Sequence, residues 1–352
     1  MTADRSSRRR TLKGVIWTLV VLVAVILGGL GYLYARLNGN LSGININAQL
    51  GDHRPRNVDN GSEDILVLGS DSRAGANAKY GKASGARSDT AMVVHVYHGH
   101  KKAAVVSIPR DTLVHRPACA AKKGGTAPAE PSAMFNSAYE VGGPACAVKT
   151  VEQMTGIRMD HYIEVDFTGF KKLINQLGGV KVTTTKAIHD KDSHLDLGPG
   201  THTLDGEQAL GLVRTRHAVG NGSDLGRIEL QQAFMKALIH QVKGVGLFSD
   251  PKKLFDLADT ATKSITPDSQ LDSVNELIGF AGGLQNLSAK DVTMITLPVK
   301  YDPADPNRVV PLQPGADTVW KALRADRPIP PSATKHSAGD TGDASGIVKA
   351  AP

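Results

Sequence analysis

Short apolar runs and longer apolar stripes with helical spacing alternate along most of this chain. The runs are four to seven residues long and rich in branched side chains, which is typical of buried strands. We expect strands at residues 65–68, 91–96, 103–108, 162–165, 180–184 and 292–298.

The apolar stripes begin at residues that can cap a helix. Asp166, Asp205 and Asp224 are each placed to cap one, and Gln208 completes a capping box with Asp205. We expect further helices at residues 132–141, 145–154 and 317–323, with two or three more between 251 and 284. Strands and helices mix without strict alternation, and no second hydrophobic core stands out. The pattern therefore predicts a single α/β-type domain.

Residues 14–35 contain no charged side chain. At about 1.5 Å per residue this stretch spans about 33 Å, which is enough for a bilayer core. The basic residues before it predict a cytoplasmic N-terminus and an exported remainder. A cleaved signal peptide is the alternative, although its apolar region is usually about 7–15 residues long. We expect an uncleaved single-pass anchor, and the predicted segments are a basic tail (1–13), the transmembrane helix (14–35), a stalk (36–60), an exported catalytic domain (61–326) and a disordered tail (327–352).

The composition argues against nucleic-acid binding. The formal net charge is +7, but the basic tail before the anchor supplies four of these charges. An exported domain with a weak positive charge and 5% aromatic residues lacks the basic and stacking surfaces that nucleic acids require.

The two cysteines, Cys119 and Cys146, both follow the predicted membrane span. An even number of cysteines in an oxidising compartment predicts one disulfide, and two free thiols are the alternative.

Charged side chains stand at one end of each of the first three predicted strands. They are Asp71, Arg73, Arg87, Asp89, Arg110 and Asp111. Pairing of these strands would bring the charges together at one edge of a sheet. Carboxylates and arginines at one edge indicate a site for a divalent cation and a phosphate-bearing ligand, whereas surface salt bridges are the alternative.

A second basic group lies more than 100 residues further along. Arg214 and Arg216 follow one predicted helix, while Arg227 and Gln231 are four residues apart and share one face of the next. Arginines near a helix N-terminus form a good anion-binding site. Arginines that converge on one pocket would repel one another unless a polyanion binds there. The alternative is that they are separate surface residues.

Several motifs follow one another in an order that resembles the LytR-CpsA-Psr family. They are GSDSRAG, ARSDT, SIPRD, GEQALGLVRTRH and SDLGRIELQQ, and the resemblance covers residues 65–243. It implies an α/β/α sandwich on a central mixed sheet, with a hydrophobic groove for a polyprenyl chain. The implied activity is transfer of a glycopolymer from an undecaprenyl-pyrophosphate carrier to the muramic acid 6-hydroxyl of peptidoglycan, which forms a phosphodiester.

The resemblance also implies roles for individual residues. Asp71 and Asp89 match carboxylates that bind Mg²⁺, with Mn²⁺ as an alternative ion. The catalytic arginines would be Arg87, Arg110, Arg214, Arg216 and Arg227, and the substrate-binding residues would be Gln231 and Arg73. Leu230 departs from the family pattern, which often has a second arginine there.

Two other functions fit the same residues. One is a phosphatase that acts on polyprenyl pyrophosphates with water as the acceptor. The other is a non-catalytic, lipid-binding regulatory membrane protein. The implied partners are the lipid-linked glycan, peptidoglycan and the membrane. Asp111 and Asp224 are candidates for a general base, and the shared motifs do not identify the glycan.

Overall fold

A six-stranded sheet lies at the centre of the computed structural model, which describes residues 3–70, 88–216, 224–244, 250–339 and 348–350. In chain order the strands are β1 (Glu63–Ser70), β2 (Ser88–Val96), β3 (Ala103–Ile108), β4 (Leu113–Arg116), β5 (Cys119–Ala120), β6 (Thr126–Ala127), β7 (Glu130–Met134), β8 (His161–Asp166), β9 (Val180–Thr184), β10 (Ile188–Asp190), β11 (Leu195–Leu197), β12 (Gly200–Leu204), β13 (Ile265–Pro267), β14 (Val292–Thr296), β15 (Val299–Tyr301), β16 (Val309–Pro311) and β17 (Val348–Ala350). The helices are α1 (Ala3–Asn40), α2 (Asn47–Leu50), α3 (Phe135–Thr155), α4 (Phe167–Gln176), α5 (Gly206–Arg214), α6 (Asp224–Gly244), α7 (Pro251–Ser264), α8 (Val274–Leu284) and α9 (Gly315–Arg324).

The central sheet has the order β13-β8-β1-β2-β3-β14. Strands β1 and β8 are parallel, as are β3 and β14, whereas the other neighbours are antiparallel. The sheet is therefore mixed, as the family resemblance implies. All six predicted strands are present, and five of them lie in this sheet.

Helices cover both faces of this sheet because both faces are apolar. On one face Leu68 and Val93 pack in a cluster with Phe135 of α3 and Trp320 of α9. On the other face Met92 and Val105 pack in a cluster that Ile239 of α6 joins. This arrangement is the expected α/β/α sandwich.

A second buried cluster corrects the expectation of one core. It surrounds the three-stranded sheet β12-β9-β17 and includes Val182, Leu204, Leu212 and Phe234. Helix α6 contributes to both clusters because residues on different faces of its long surface point to different sheets.

The predicted helix boundaries hold best where a cap is present. Asp166 accepts a hydrogen bond from the Gly169 amide, and Asp205 and Gln208 form the expected capping box. The helices expected at 132–141 and 145–154 are two segments of α3, joined at a break at Gly143. Residues 132–134 belong to β7 instead, where they pair with β4.

Helix α1 includes the apolar stretch and continues beyond it to Asn40. Its segment Trp17–Asn40 is long and apolar enough to cross a membrane, and its most apolar part is not buried against the rest of the chain. It fits a single membrane-spanning helix.

The expected stalk at residues 36–60 is wrong as a free linker. Leu50 of α2 is buried in the main cluster. The Arg54 guanidinium forms a buried ion pair with Glu152 of α3, and it also donates to the Met159 carbonyl. This segment packs on the domain because it carries its own apolar and charged anchors.

The expected disorder after residue 326 is also wrong for the residues that the structure describes. Pro331–Thr334 forms a 3₁₀ helix, and Ala333 is buried in the main cluster. Strand β17 pairs with β9, and Val348 is buried against it. The segment is polar on average, so its composition predicts disorder. Its few apolar residues become buried only when the rest of the domain has folded.

Candidate active site

Three arginines converge on one carboxylate, Asp224, the first residue of α6. Its Oδ1 atom lies 2.7 Å from Nη2 of Arg227, 3.4 Å from Nε of Arg110 and 3.6 Å from Nη2 of Arg216. One carboxylate cannot neutralise three guanidinium groups, so the cluster keeps a positive charge that favours a polyanion.

Local structure explains why Arg227 and Arg216 reach Asp224. Arg227 lies three residues after Asp224 on the same helical face, and it is 3% exposed. The Arg216 amide donates to Asp190 Oδ2 (3.0 Å), and Asp190 Oδ1 also accepts from the Ser193 amide. The turn after β10 therefore holds the chain that carries Arg216. The N-terminal end of α6 adds a partial positive charge.

Arg110 is held by the start of α3. The Asn136 amide donates to the Arg110 carbonyl (3.0 Å), and the Arg110 Nε lies 3.4 Å from Asp111 Oδ2. Arg308 extends this group, since its Nη1 lies 3.8 Å from Asp111 Oδ1. The cluster thus combines residues that follow β3, α5 and β15 with the first turn of α6.

Gln231 of α6 forms hydrogen bonds to β2 and to α5. It is 6% exposed, and its Nε2 donates to Thr90 Oγ1 and to the Val213 carbonyl, both at 3.0 Å. Both amide protons are thereby used within the protein, and the remaining Oε1 can only accept. In this conformation Gln231 holds Thr90, the residue of β2 that follows Asp89, and its side chain has no N–H left to donate to a phosphate.

Arg214 contacts an aromatic ring of α4. It is the last residue of α5, and its guanidinium carbon lies 5.2 Å from the centre of the Phe167 ring on α4. This contact is a cation–π pair. This contact places Arg214 beside the start of α4.

The remaining predicted site residues can be placed only through the backbone. Asp71, Arg73 and Arg87 lie outside the described residues, and Asp89 is described in its backbone alone. In the β1–β2 register Gly69 pairs with Thr90 and Ser70 with Ser88, so Asp89 occupies an irregularity opposite the end of β1. Asp71 is the next residue of the chain after Ser70. Asp89 therefore lies in β2 opposite the end of β1, and Asp71 directly follows that end in the sequence.

A second polar group, which sequence reasoning missed, lies near the end of β1. Both oxygens of Glu164 accept hydrogen bonds, one from Tyr139 (2.6 Å) and one from Tyr162 (2.5 Å). Ser70 Oγ lies 3.5 Å from the Tyr139 hydroxyl. Burial and then the charge of Glu164 raise the pKa of Tyr139 well above its ordinary value, so its hydroxyl remains a donor. The available signal was a glutamate within an otherwise apolar strand.

The disulfide brings a cation to this group. Cys119 and Cys146 are bonded and join the β5–β6 hairpin to α3. Lys122 of that hairpin lies 4.2 Å from the centre of the Tyr139 ring. Burial lowers the pKa of Lys122, and the charges of Glu164 and Glu140 oppose this effect.

A cell-wall protein family shares this fold and these motifs. The model of the LytR_cpsA_psr family matches residues 33–325. A structure of TagT bound to LI-WTA is 30% identical, with a TM-score of 0.59 over 81% of this chain and 98% of that one. A structure of TagT with bound octaprenyl pyrophosphate lipid is 27% identical, with a TM-score of 0.55 over 81% of this chain and 98% of that one. The chain belongs to the LytR_cpsA_psr family.

Curated relatives agree with this assignment. The cell wall biosynthesis protein LcpA of Corynebacterium glutamicum is 33% identical over 85% of this chain, which spans 62% of the length of LcpA. The polyisoprenyl-teichoic acid–peptidoglycan teichoic acid transferase TagT of Bacillus subtilis is 31% identical over 83% of this chain and 89% of TagT. The family thus includes transferases of cell-wall glycopolymers.

Proposed function

We propose that this protein transfers a glycopolymer from a polyprenyl-pyrophosphate carrier to the muramic acid 6-hydroxyl of peptidoglycan. The observation that carries the proposal is the convergence of Arg110, Arg216 and Arg227 on the single carboxylate of Asp224. The site is partly buried and has more guanidinium groups than one carboxylate can neutralise. A pyrophosphate would supply the additional negative charge.

An apolar strip on the central sheet supports a lipid carrier. Val67, Val94, Ile163 and Val165 are only partly buried, although they lie on central strands. On β1 this strip leads from Val67 to Gly69, which pairs with Thr90, the residue that Gln231 contacts. A polyprenyl chain on this strip would place its pyrophosphate beside α6. TagT has been solved with octaprenyl pyrophosphate.

The residues at the end of β1 suit a divalent cation. Asp71 and Asp89 would supply carboxylate oxygens, which Mg²⁺ prefers, and the backbone of Asp89 in β2, opposite the end of β1, supports this proposal. When bound there, Mg²⁺ would neutralise charge on the pyrophosphate oxygens. Arg73 and Arg87 belong to the same motifs and would add donors to the phosphates.

The transfer step is a displacement at phosphorus. The hydroxyl oxygen of muramic acid forms a bond to the phosphorus that carries the glycan, and the bond to the leaving polyprenyl phosphate breaks. The hydroxyl proton passes to a general base, for which Asp111 and Asp224 are the candidates. Arg110 and Arg227 would stabilise the charge that develops on the leaving phosphate.

The anchor and the proposed acceptor favour a reaction outside the cell. The basic residues before α1 favour a cytoplasmic N-terminus, and peptidoglycan lies on the other side of the membrane. We therefore infer a single-pass protein whose catalytic domain faces the wall.

Reconstitution tests the proposal. The full-length protein in lipid vesicles is incubated with a radiolabelled undecaprenyl-pyrophosphate-linked glycan, with and without peptidoglycan fragments, and glycan attached to peptidoglycan is measured. We expect Mg²⁺-dependent attachment that Asp89→Asn abolishes and that Asp196→Asn, an 82% exposed control side chain, leaves unchanged. Release of the glycan to water at the same rate with and without acceptor would instead identify a phosphatase. Lipid binding without any turnover would identify a regulatory protein.

A further inference from the structure

Helix α7 runs parallel to the end of the membrane-spanning helix α1. Arg36 Nε lies 3.1 Å from Asp259 Oδ1, and its guanidinium carbon lies 5.8 Å from the centre of the Phe255 ring. One turn later, Asn40 Nδ2 donates to Asp259 Oδ1 (3.1 Å) and to Thr262 Oγ1 (3.0 Å). The contacts advance in the same direction along both helices, which therefore run side by side and point the same way.

This alignment sets the height of α7 relative to the membrane. Both helices rise about 1.5 Å per residue, so the first turn of α7 lies level with about residues 30–35 of α1. Those residues form the C-terminal end of the apolar stretch. Tyr32 and Tyr34 lie there with exposed side chains. Tyrosine is enriched at the membrane–water interface. The first turn of α7 is thus at the height of the interface.

Helix α8 meets α1 on its other side. The Val274 amide, at the start of α8, donates to Asn38 Oδ1 (3.1 Å). Asn38 is rotated by about 200° from both Arg36 and Asn40 around the α1 axis. Helices α7 and α8 therefore flank the point where α1 leaves the apolar stretch.

Each flanking helix exposes a large apolar side chain. Leu254 in the first turn of α7 is 40% exposed, and Ile278 in α8 is 65% exposed. Glu276 is the one charged residue of α8. Lys252 and Lys253, beside Leu254, have side chains that are 84% and 64% exposed. Long basic side chains beside an apolar one suit an interface, because the stem stays in apolar surroundings while the charge reaches the headgroups.

We propose that Leu254 and Ile278 insert into the phospholipid leaflet from which α1 emerges, with Lys252 and Lys253 at the level of the lipid phosphates. The occupant of this surface is the bilayer itself, because the surface is continuous with the helix that crosses it. The domain then rests on the membrane through α7 and α8 and does not hang from a flexible tether. This inference does not depend on the transferase activity.

Site-specific fluorescence tests the contact in the full-length protein. The disulfide uses both native cysteines, so a single introduced cysteine can be labelled with the fluorophore NBD. Labels at Leu254→Cys and Ile278→Cys are compared with Tyr32→Cys, inside the membrane span, and Asp196→Cys, on the exposed hairpin strand β11. The vesicles contain phosphatidylethanolamine and phosphatidylglycerol.

We expect labels at positions 254 and 278 to resemble the label at 32. Spin-labelled lipids would quench them, and aqueous iodide would quench them at least threefold less than the label at 196. Iodide quenching at both positions equal to that at 196 overturns the proposal. Protection at only one position also overturns it, because the proposal requires both helices to touch lipid.

Discussion

The Oδ1 atom of Asp224 lies 2.7 Å from Nη2 of Arg227, one helical turn away on α6, and both side chains are largely buried. Arg110 and Arg216 approach the same oxygen from other parts of the chain. Asp224 therefore holds together three cations that would otherwise repel one another. A bound pyrophosphate would perform the same task with more negative charge.

Removal of the Asp224 charge should make the protein depend on an added anion. We expect Asp224→Asn to lower the free energy of unfolding by about 2–3 kcal/mol, because the buried Arg227 guanidinium loses the charge of Asp224. Inorganic pyrophosphate should then raise the melting temperature of this variant more than that of the unaltered protein. Differential scanning fluorimetry measures both effects.

Asp196→Asn is the control for this experiment. Asp196 also pairs with a basic side chain, Nδ1 of His189 at 2.6 Å, but both side chains are exposed (82% and 67%) and lie outside the arginine cluster. We expect little change in its stability or in its response to pyrophosphate. Equal responses of both variants would show that Asp224 does not organise the anion site.

Arg110 should be essential for transfer. We expect Arg110→Ala to reduce the transfer rate at least about 100-fold, because a donor to the leaving phosphate is lost. Arg327→Ala, at an exposed arginine outside the site, should keep the rate of the unaltered protein. Initial rates of glycan attachment check this, with circular dichroism as the measure of folding. Normal transfer by a folded Arg110→Ala protein would rule out the proposed role.

The buried ion pair between Arg54 and Glu152 should stabilise the whole domain. Glu152→Gln leaves the Arg54 charge buried without a counter-charge, and we expect a loss of about 3 kcal/mol in the free energy of unfolding. Glu207→Gln, which breaks the exposed pair with Lys171, should cost less than about 1 kcal/mol. Urea unfolding compares the two, and equal losses would contradict the predicted importance of burial.

The pair of His161 and Asp268 should make stability depend on pH. Burial lowers the pKa of His161, but the hydrogen bond and charge of Asp268 outweigh burial and raise it. Burial raises the pKa of Asp268, but hydrogen bonds from His161 and from the Tyr162 and Gln270 amides outweigh it and lower it. The histidine contribution is full below its unfolded pKa, about 6.5, and is lost as pH rises through the raised value. The aspartate contribution is present above about pH 4 and is lost as pH falls through the lowered value.

Substitution of Asp268 should therefore cost most between about pH 4 and 6.5. We expect Asp268→Asn to lose about 2 kcal/mol near pH 5 and clearly less near pH 8. Asp196→Asn removes a partner that lies closer to its histidine, His189, but is exposed, so its effect should be small throughout. Unfolding free energies across this pH range provide the measurement. A constant loss for Asp268→Asn would show that the contribution of Asp268 does not depend on the protonation of His161.

Much of this protein follows from its sequence alone. Apolar runs predicted the strands, since a strand buried on both faces needs little beyond length and branched residues. Asp166 and Asp205 predicted helix starts because a cap acts within three residues. The apolar stretch at residues 14–35 predicted the anchor, and the ordered motifs predicted the family and the fold.

Tertiary structure alone decided which distant residues meet. No local pattern shows that Asp224 binds Arg110, that Gln231 uses both amide protons on Thr90 and Val213, or that Glu164 joins two tyrosines. The supposed stalk and tail pack on the domain for the same reason. Each segment is polar on average and contains only a few residues that become buried or paired. Such a residue stabilises its segment only after folding has brought its partner beside it.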